Sequence, residues 1–152
     1  MRVLLVHNPS AGDGNLSRDH LLELLRRAGF VPDCVDAKDP ELEAVLGRPT
    51  DLVLVAGGDG SVVRTAVTLP DRDVPMAVLP LGTANNLART FGIEGDPERI
   101  VAGLEGAGRR RLDVGEARGP WGRRRFVESV GLGALADAMH AAHESDAPSQ
   151  DR

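Results

Sequence analysis

The chain has 152 residues and a formal net charge of −5, with 41% apolar and 27% charged residues. That is one globular domain, or one domain with part of a second, and it excludes a wholly disordered chain. Only 3% of residues are aromatic, so the core is expected to be Val, Leu, Ile and Ala, which suits helices packed on a buried sheet. The single cysteine, Cys34, excludes an internal disulfide framework and a Cys-based zinc site, and makes a reduced cytoplasmic setting the default. No stretch approaches the roughly 20 apolar residues of a membrane span. The opening apolar run is shorter than the roughly 7–15 residues of a secretory signal core.

In chain order, Arg2–His7 reads as a buried strand ending at Asn8-Pro9. Asn15 or Ser17 can cap a helix with apolar positions Leu21, Leu22, Leu24, Leu25 and Ala28, which Gly29 stops. Phe30–Asp36 is a second strand and Glu41–Leu46 a short helix between Pro40 and Gly47. Asp51–Ala56 is a third strand, Gly57–Gly60 a tight turn, and Ser61–Leu69 a helix. Val74–Leu79 is a fourth strand, followed by helices near Ala84–Phe91 and Pro97–Leu104. Strict alternation of strand and helix predicts βαβ units and a parallel sheet, with helices on both faces of continuously apolar strands.

Near residue 109 the character changes. Arg110–Ala117 and Arg123–Val130 flank a Gly-Pro-Trp-Gly turn and read as a β-hairpin; Gly131–His143 reads as a helix and the tail from Glu144 as disordered. The organisation expected is an α/β domain over 1–108, a fragment of a β-rich domain over 109–143, and a tail over 144–152. Seven arginines stand against Asp113 and Glu116 in residues 109–125. Such a stretch is either a solvated hairpin or a surface for phosphates or an anionic membrane. Trp121 is either a cover for the turn or a membrane anchor. The hairpin's unpaired edges also allow a homodimer.

Three glycine-bearing turns fall at the C-terminal ends of strands one, three and four: Asn8-Pro9-Ser10-Ala11-Gly12, Gly57-Gly58-Asp59-Gly60-Ser61, and Leu81-Gly82-Thr83-Ala84-Asn85-Asn86. Ligands of open α/β sheets bind at that edge. Helix N-termini there present N–H groups and a positive dipole end to phosphate, and glycine lets the backbone come close. Asp59 is a carboxylate inside this cradle. It is a candidate for Mg²⁺ binding through water or for a general base, or it shapes the turn. Other patterns carry less. A P-loop needs Gly-Lys, and the only lysine, Lys38, has no glycine beside it. His7, His20, His140 and His143 show no zinc spacing, and Gly131-x-Gly133-x-x-Ala136 lacks the βαβ unit a dinucleotide fingerprint requires.

The segments HNPSAG (7–12), VAGGDGSV (55–62) and VLPLGTANNLART (78–90), in this order and spacing, resemble the diacylglycerol kinase catalytic domain family, whose superfamily includes sphingosine kinases and NAD kinases. RRRLDVGEA (109–117) and FVESVGLGALADA (126–138) resemble that family's crossover into its second domain. The resemblance implies a Rossmann-like nucleotide-binding domain of an ATP-dependent lipid kinase, transferring the γ-phosphoryl to a lipid hydroxyl of the diacylglycerol kind. Asn8, Pro9, Ser10 and Gly12 would form the first nucleotide loop. Gly57, Gly58, Gly60 and Ser61 would wrap the phosphates, with Asp59 near Mg²⁺; Gly82 and Thr83 would also meet nucleotide, and Asn85 would hold its loop. Asn86 stands where the family often has Asp. The first loop has no neighbouring lysine, the nearest base in sequence being Arg18. Most of the family's β-rich second domain is absent, so this chain alone is expected to be incomplete as a kinase. A cytoplasmic protein with peripheral membrane contact at the inner face and no nucleic-acid partner is expected. The alternatives are a nucleotide-binding module without catalysis and an NAD-kinase-like enzyme.

Overall fold

A computed structural model of the chain describes residues 1–12, 16–69 and 73–127. Four strands form a parallel sheet: β1 (Arg2–His7), β2 (Val31–Asp36), β3 (Leu52–Gly57) and β4 (Met76–Pro80), in spatial order β2-β1-β3-β4. The helices are α1 (Arg18–Arg27), α2 (Leu42–Leu46), α3 (Asp59–Thr68), α4 (Asn86–Thr90) and α5 (Pro97–Gly103), the last followed by a 3₁₀ turn at Leu104–Gly106. The fold is α/β, with the Rossmann-like alternation the sequence predicts.

The central strands are apolar along their length because both faces are covered. Val3 and Leu5 of β1, Leu52, Leu54 and Ala56 of β3 and Leu79 of β4 form one buried face, packed with Leu21 and Leu25 of α1 and Val101 of α5. The alternate residues Leu4, Val6, Val53, Val55 and Val78 are also buried. Right-handed crossovers send the two directions of chain travel to opposite faces. The β1-to-β2 link therefore puts α1 on one face, and the links from β2 to β3 and from β3 to β4 put α2 and α3, which touch each other, on the other. Pro32, which has no N–H to give, sits in the edge strand β2.

Local chemistry sets the helix ends. Ser17 accepts from the His20 amide at 3.2 Å to start α1, and Gly29, at φ +84°, ends it. Asp96 accepts from the Arg99 amide at 2.8 Å, and Pro97 opens α5. Two elements depart from expectation. The helix expected from Ser61 begins at Asp59, because Gly58 in extended backbone acts as its N-cap, so Asp59 and Gly60 are helical. The helix expected near Ala84 starts only at Asn86, because Asn85 adopts the left-handed conformation at φ +50°.

The compact α/β unit runs Met1–Val114; a second unit begins at Gly115. Within the second unit an antiparallel hairpin pairs β5 (Gly115–Gly119) with β6 (Gly122–Phe126); the first strand starts later than the expected Arg110, and the expected strand residues 128–130 lie outside the described residues. The Trp121 ring packs over Gly119, where a Cβ would lie 2.5 Å from it, yet the side chain stays exposed. Glu116 pairs with Arg118 at 2.6 Å and with Arg123 at 3.2 Å. The expected helix at 131–143 and the tail from 144 lie outside the described residues.

Candidate functional site

Chain travel reverses between β1 and β3. The turn after β1 leads to α1 on one face and the turn after β3 leads to α3 on the other, which opens a crevice at the carboxyl edge between them. Its volume is about 490 Å³. Asn8, Ser10 and Gly12 come from the first turn, Gly58, Gly60 and Ser61 from the start of α3, and Gly82 and Thr83 from the turn after β4.

Side-chain hydrogen bonds hold these turns together. Asn8 Nδ2 donates to Ser61 Oγ at 3.2 Å across the crevice floor, and Asn8 Oδ1 accepts from the Ser10 amide at 3.1 Å. Asn8 therefore spans both sides of the switch point. Gly58 and Gly82 meet backbone to backbone; a Cβ on Gly82 would lie 2.5 Å from Gly58 Cα. Asn85 brackets the third turn, its Oδ1 accepting from the Gly82 amide at 2.9 Å and its Nδ2 donating to the Gly82 carbonyl at 2.6 Å. Gly58 caps α3 without a side chain, which leaves the positive helix end facing the crevice without a capping oxygen.

Four of the residues singled out from sequence are not on the crevice wall. Gly57 lies beneath it: a Cβ there would meet Ser61 Cβ and Oγ at 2.7 Å. Asn85 acts on Gly82 as described. Pro9 lines a separate cavity of about 330 Å³ with His7, Ser17, Arg18, Cys34 and Asp36. Asp59 turns to α4, its Oδ1 accepting from the Leu87 amide at 3.1 Å. In the Pro9 cavity burial lowers the His7 pKa and raises that of the Cys34 thiol.

Four wall residues were not legible as site residues: Ala11, Ala37, Lys38 and Arg64. The first turn has no lysine beside it in sequence, but the fold brings Lys38 to it. The β1–β2 register sets His7 beside Asp36, and Lys38 Nζ then reaches Ser10 Oγ at 3.4 Å. Arg18, the nearest base in sequence, faces the other cavity. Arg64 stands three residues after Ser61 on α3, a helical spacing that could have flagged it. Among the described residues no group of three or more His, Cys, Asp or Glu could hold a metal ion. No described helix is long and apolar enough to cross a membrane.

The model of the diacylglycerol kinase catalytic domain matches residues 2–117, and the chain belongs to that family. It is 28% identical over 155 residues to a diacylglycerol kinase of Bacillus subtilis, covering 91% of this chain and 48% of that one. A diacylglycerol kinase of Mycobacterium tuberculosis is 34% identical over 99 residues, covering 60% of this chain and 32% of that one. The crystal structure of a diacylglycerol kinase from Bacillus anthracis superposes with a TM-score of 0.59 at 27% identity, over 74% of this chain and 42% of that one. The chain thus spans about a third to a half of the length of these relatives.

Proposed function

We propose that the crevice holds ATP and that the protein passes the γ-phosphoryl to the free hydroxyl of a diacylglycerol-like lipid, working in the cytoplasm in peripheral contact with the membrane. The observation that carries this reading is the convergence of three glycine turns and the open end of α3 on the β1/β3 switch point, bridged by Asn8 and Ser61.

The chemistry follows from the donors present. The backbone amides that open α3 and the dipole of that helix favour the phosphate chain. The Ser61 hydroxyl and the Asn8 amide add side-chain groups that can turn to a phosphate oxygen. Gly58 and Gly82 allow backbone approach without a Cβ in the way. Transfer of this kind rests on positioning and charge neutralisation. Mg²⁺ supplies part of that neutralisation when bound. Among the described residues no group of three or more carboxylate, His or Cys side chains gathers there, so Asp59 fits an ion carried mainly by phosphates and water and not by a protein cage.

Calorimetry with Mg-ATP tests the site. The wild-type chain is expected to bind and Gly58→Val to lose binding, because the branched side chain crowds Gly82 and blocks the phosphates. Asn8→Ala, which removes the bridge to Ser61 without altering the glycine contact, is the second variant should Gly58→Val misfold. Unchanged affinity in both would remove the nucleotide from this crevice.

A further inference from the structure

We infer that Lys38 is the cation that reads the phosphate chain in this crevice, so that the site discriminates nucleotides by phosphate number. This rests on the nucleotide reading of the crevice.

Among the described residues the crevice wall carries two charged side chains, Lys38 and Arg64, both cationic, and no carboxylate. Lys38 is exposed, and its neighbour across the crevice is a neutral hydroxyl, Ser10 Oγ, at 3.4 Å. A hydroxyl cannot neutralise an ammonium. No ion pair of Lys38 exists among the described residues; the Asp36 carboxylate beside it is engaged with the Lys38 backbone amide, at 2.7 Å.

The loop that carries Lys38 is tied on three sides. The Ala37 amide donates to the His7 carbonyl at 2.8 Å, which fixes the loop to the end of β1. Asp36 Oδ1 and the Asp36 carbonyl accept from the Lys38 and Asp39 amides, a local turn that sets the direction of the chain. Arg64 Nη2 donates to the Asp39 carbonyl at 3.2 Å, which fastens the loop to α3. The backbone under Lys38 is therefore held against two of the elements that form the cradle. A held cation loses less freedom on meeting an anion than a free surface lysine would. The ammonium is a point charge and suits a phosphate oxygen without demanding one orientation.

Lys38 thus replaces, from 28 residues away in the chain, the lysine that a glycine-rich first loop would otherwise carry beside it. Positive charge at this place favours ligands in proportion to their negative charge. A nucleoside triphosphate gains most and a nucleoside gains nothing.

The experiment is calorimetry of ATP, ADP, AMP and adenosine against wild type, Lys38→Met and Lys38→Arg, at two salt concentrations. Arg26→Met, exposed in the last turn of α1 and away from the crevice, controls for net charge. Lys38→Met is expected to weaken ATP about tenfold or more, ADP less, and adenosine not at all. It is also expected to lower the salt dependence, with Lys38→Arg recovering most of the ATP affinity and Arg26→Met matching wild type. An unchanged ATP affinity in Lys38→Met, or an equal loss for all four ligands, overturns the assignment. If wild type binds none of the four, the nucleotide reading itself fails, and the role of Lys38 with it.

Discussion

Gly58 and Gly82 lie backbone against backbone, with only 3.1 Å between the place of a Gly58 Cβ and Gly82 Cα. This contact joins the turn after β3 to the turn after β4, and both turns line the crevice. Gly60, on the same wall, has nothing within 4 Å of its Cβ position. The glycines of one motif therefore have different duties. Gly82→Ala is expected to destabilise the fold by about 1–3 kcal/mol, since backbone must shift to admit the methyl. Gly60→Ala, inside the first turn of α3, is expected to leave stability unchanged or raise it by up to ~1 kcal/mol. Urea melts of the two variants check this; equal losses would mean that the close approach does not matter.

Asp59 has a structural duty as well as a proposed chemical one. Its Oδ1 accepts from the Leu87 amide and so ties the start of α3 to α4. Asn keeps an acceptor oxygen there and Ala does not. Asp59→Asn is expected to stay within about 0.5 kcal/mol of wild type, and Asp59→Ala to lose about 1 kcal/mol. In a protein that carries the full length of the relatives, Asp59→Asn is expected to reduce lipid phosphorylation at least ~10²-fold while the circular dichroism spectrum is unchanged. Normal turnover would leave Asp59 as an anchor for α4 alone.

His7 ends β1 with its side chain buried, and burial holds its pKa below the usual value of about 6.5. Asp36 raises it and Arg18 lowers it, both more weakly than burial. The folded state thus favours neutral His7. Its contribution to stability is fully present above the unfolded value and is lost as pH falls below about 6.5 toward the folded value. Thermal melts are expected to show lower stability at pH 5.5 than at 7.5. His7→Gln, which keeps a side-chain donor, is expected to flatten that slope. An identical slope in the variant would place the titration elsewhere.

Much of the fold is legible in the residues, for reasons that also mark what is not. β1 ends where the apolar run meets Asn8-Pro9, because a buried parallel strand must be apolar throughout and Pro cannot continue it. Ser17 and Gly29 bound α1 because capping is local chemistry. The start of α3 is misread as a turn, since three glycines in four residues look like a loop until the extended backbone of Gly58 is known. Asn8, Gly12, Gly58 and Gly82 are visible in the sequence as crevice-wall residues because they follow the ends of strands, with Gly60 and Ser61 beside them in the first turn of α3. Lys38 is not, because its place beside Ser10 depends on the register that pairs His7 with Asp36. Non-local pairing of that kind leaves no pattern in a short window of sequence.

Amide hydrogen exchange of the 152-residue chain, with and without saturating Mg-ATP, tests the nucleotide crevice most directly. Slowed exchange is expected in Ser10–Gly12, Lys38, Asp59–Ser61 and Gly82–Thr83. Bound nucleotide with unchanged exchange in those turns, or protection confined to the hairpin, would contradict the crevice assignment.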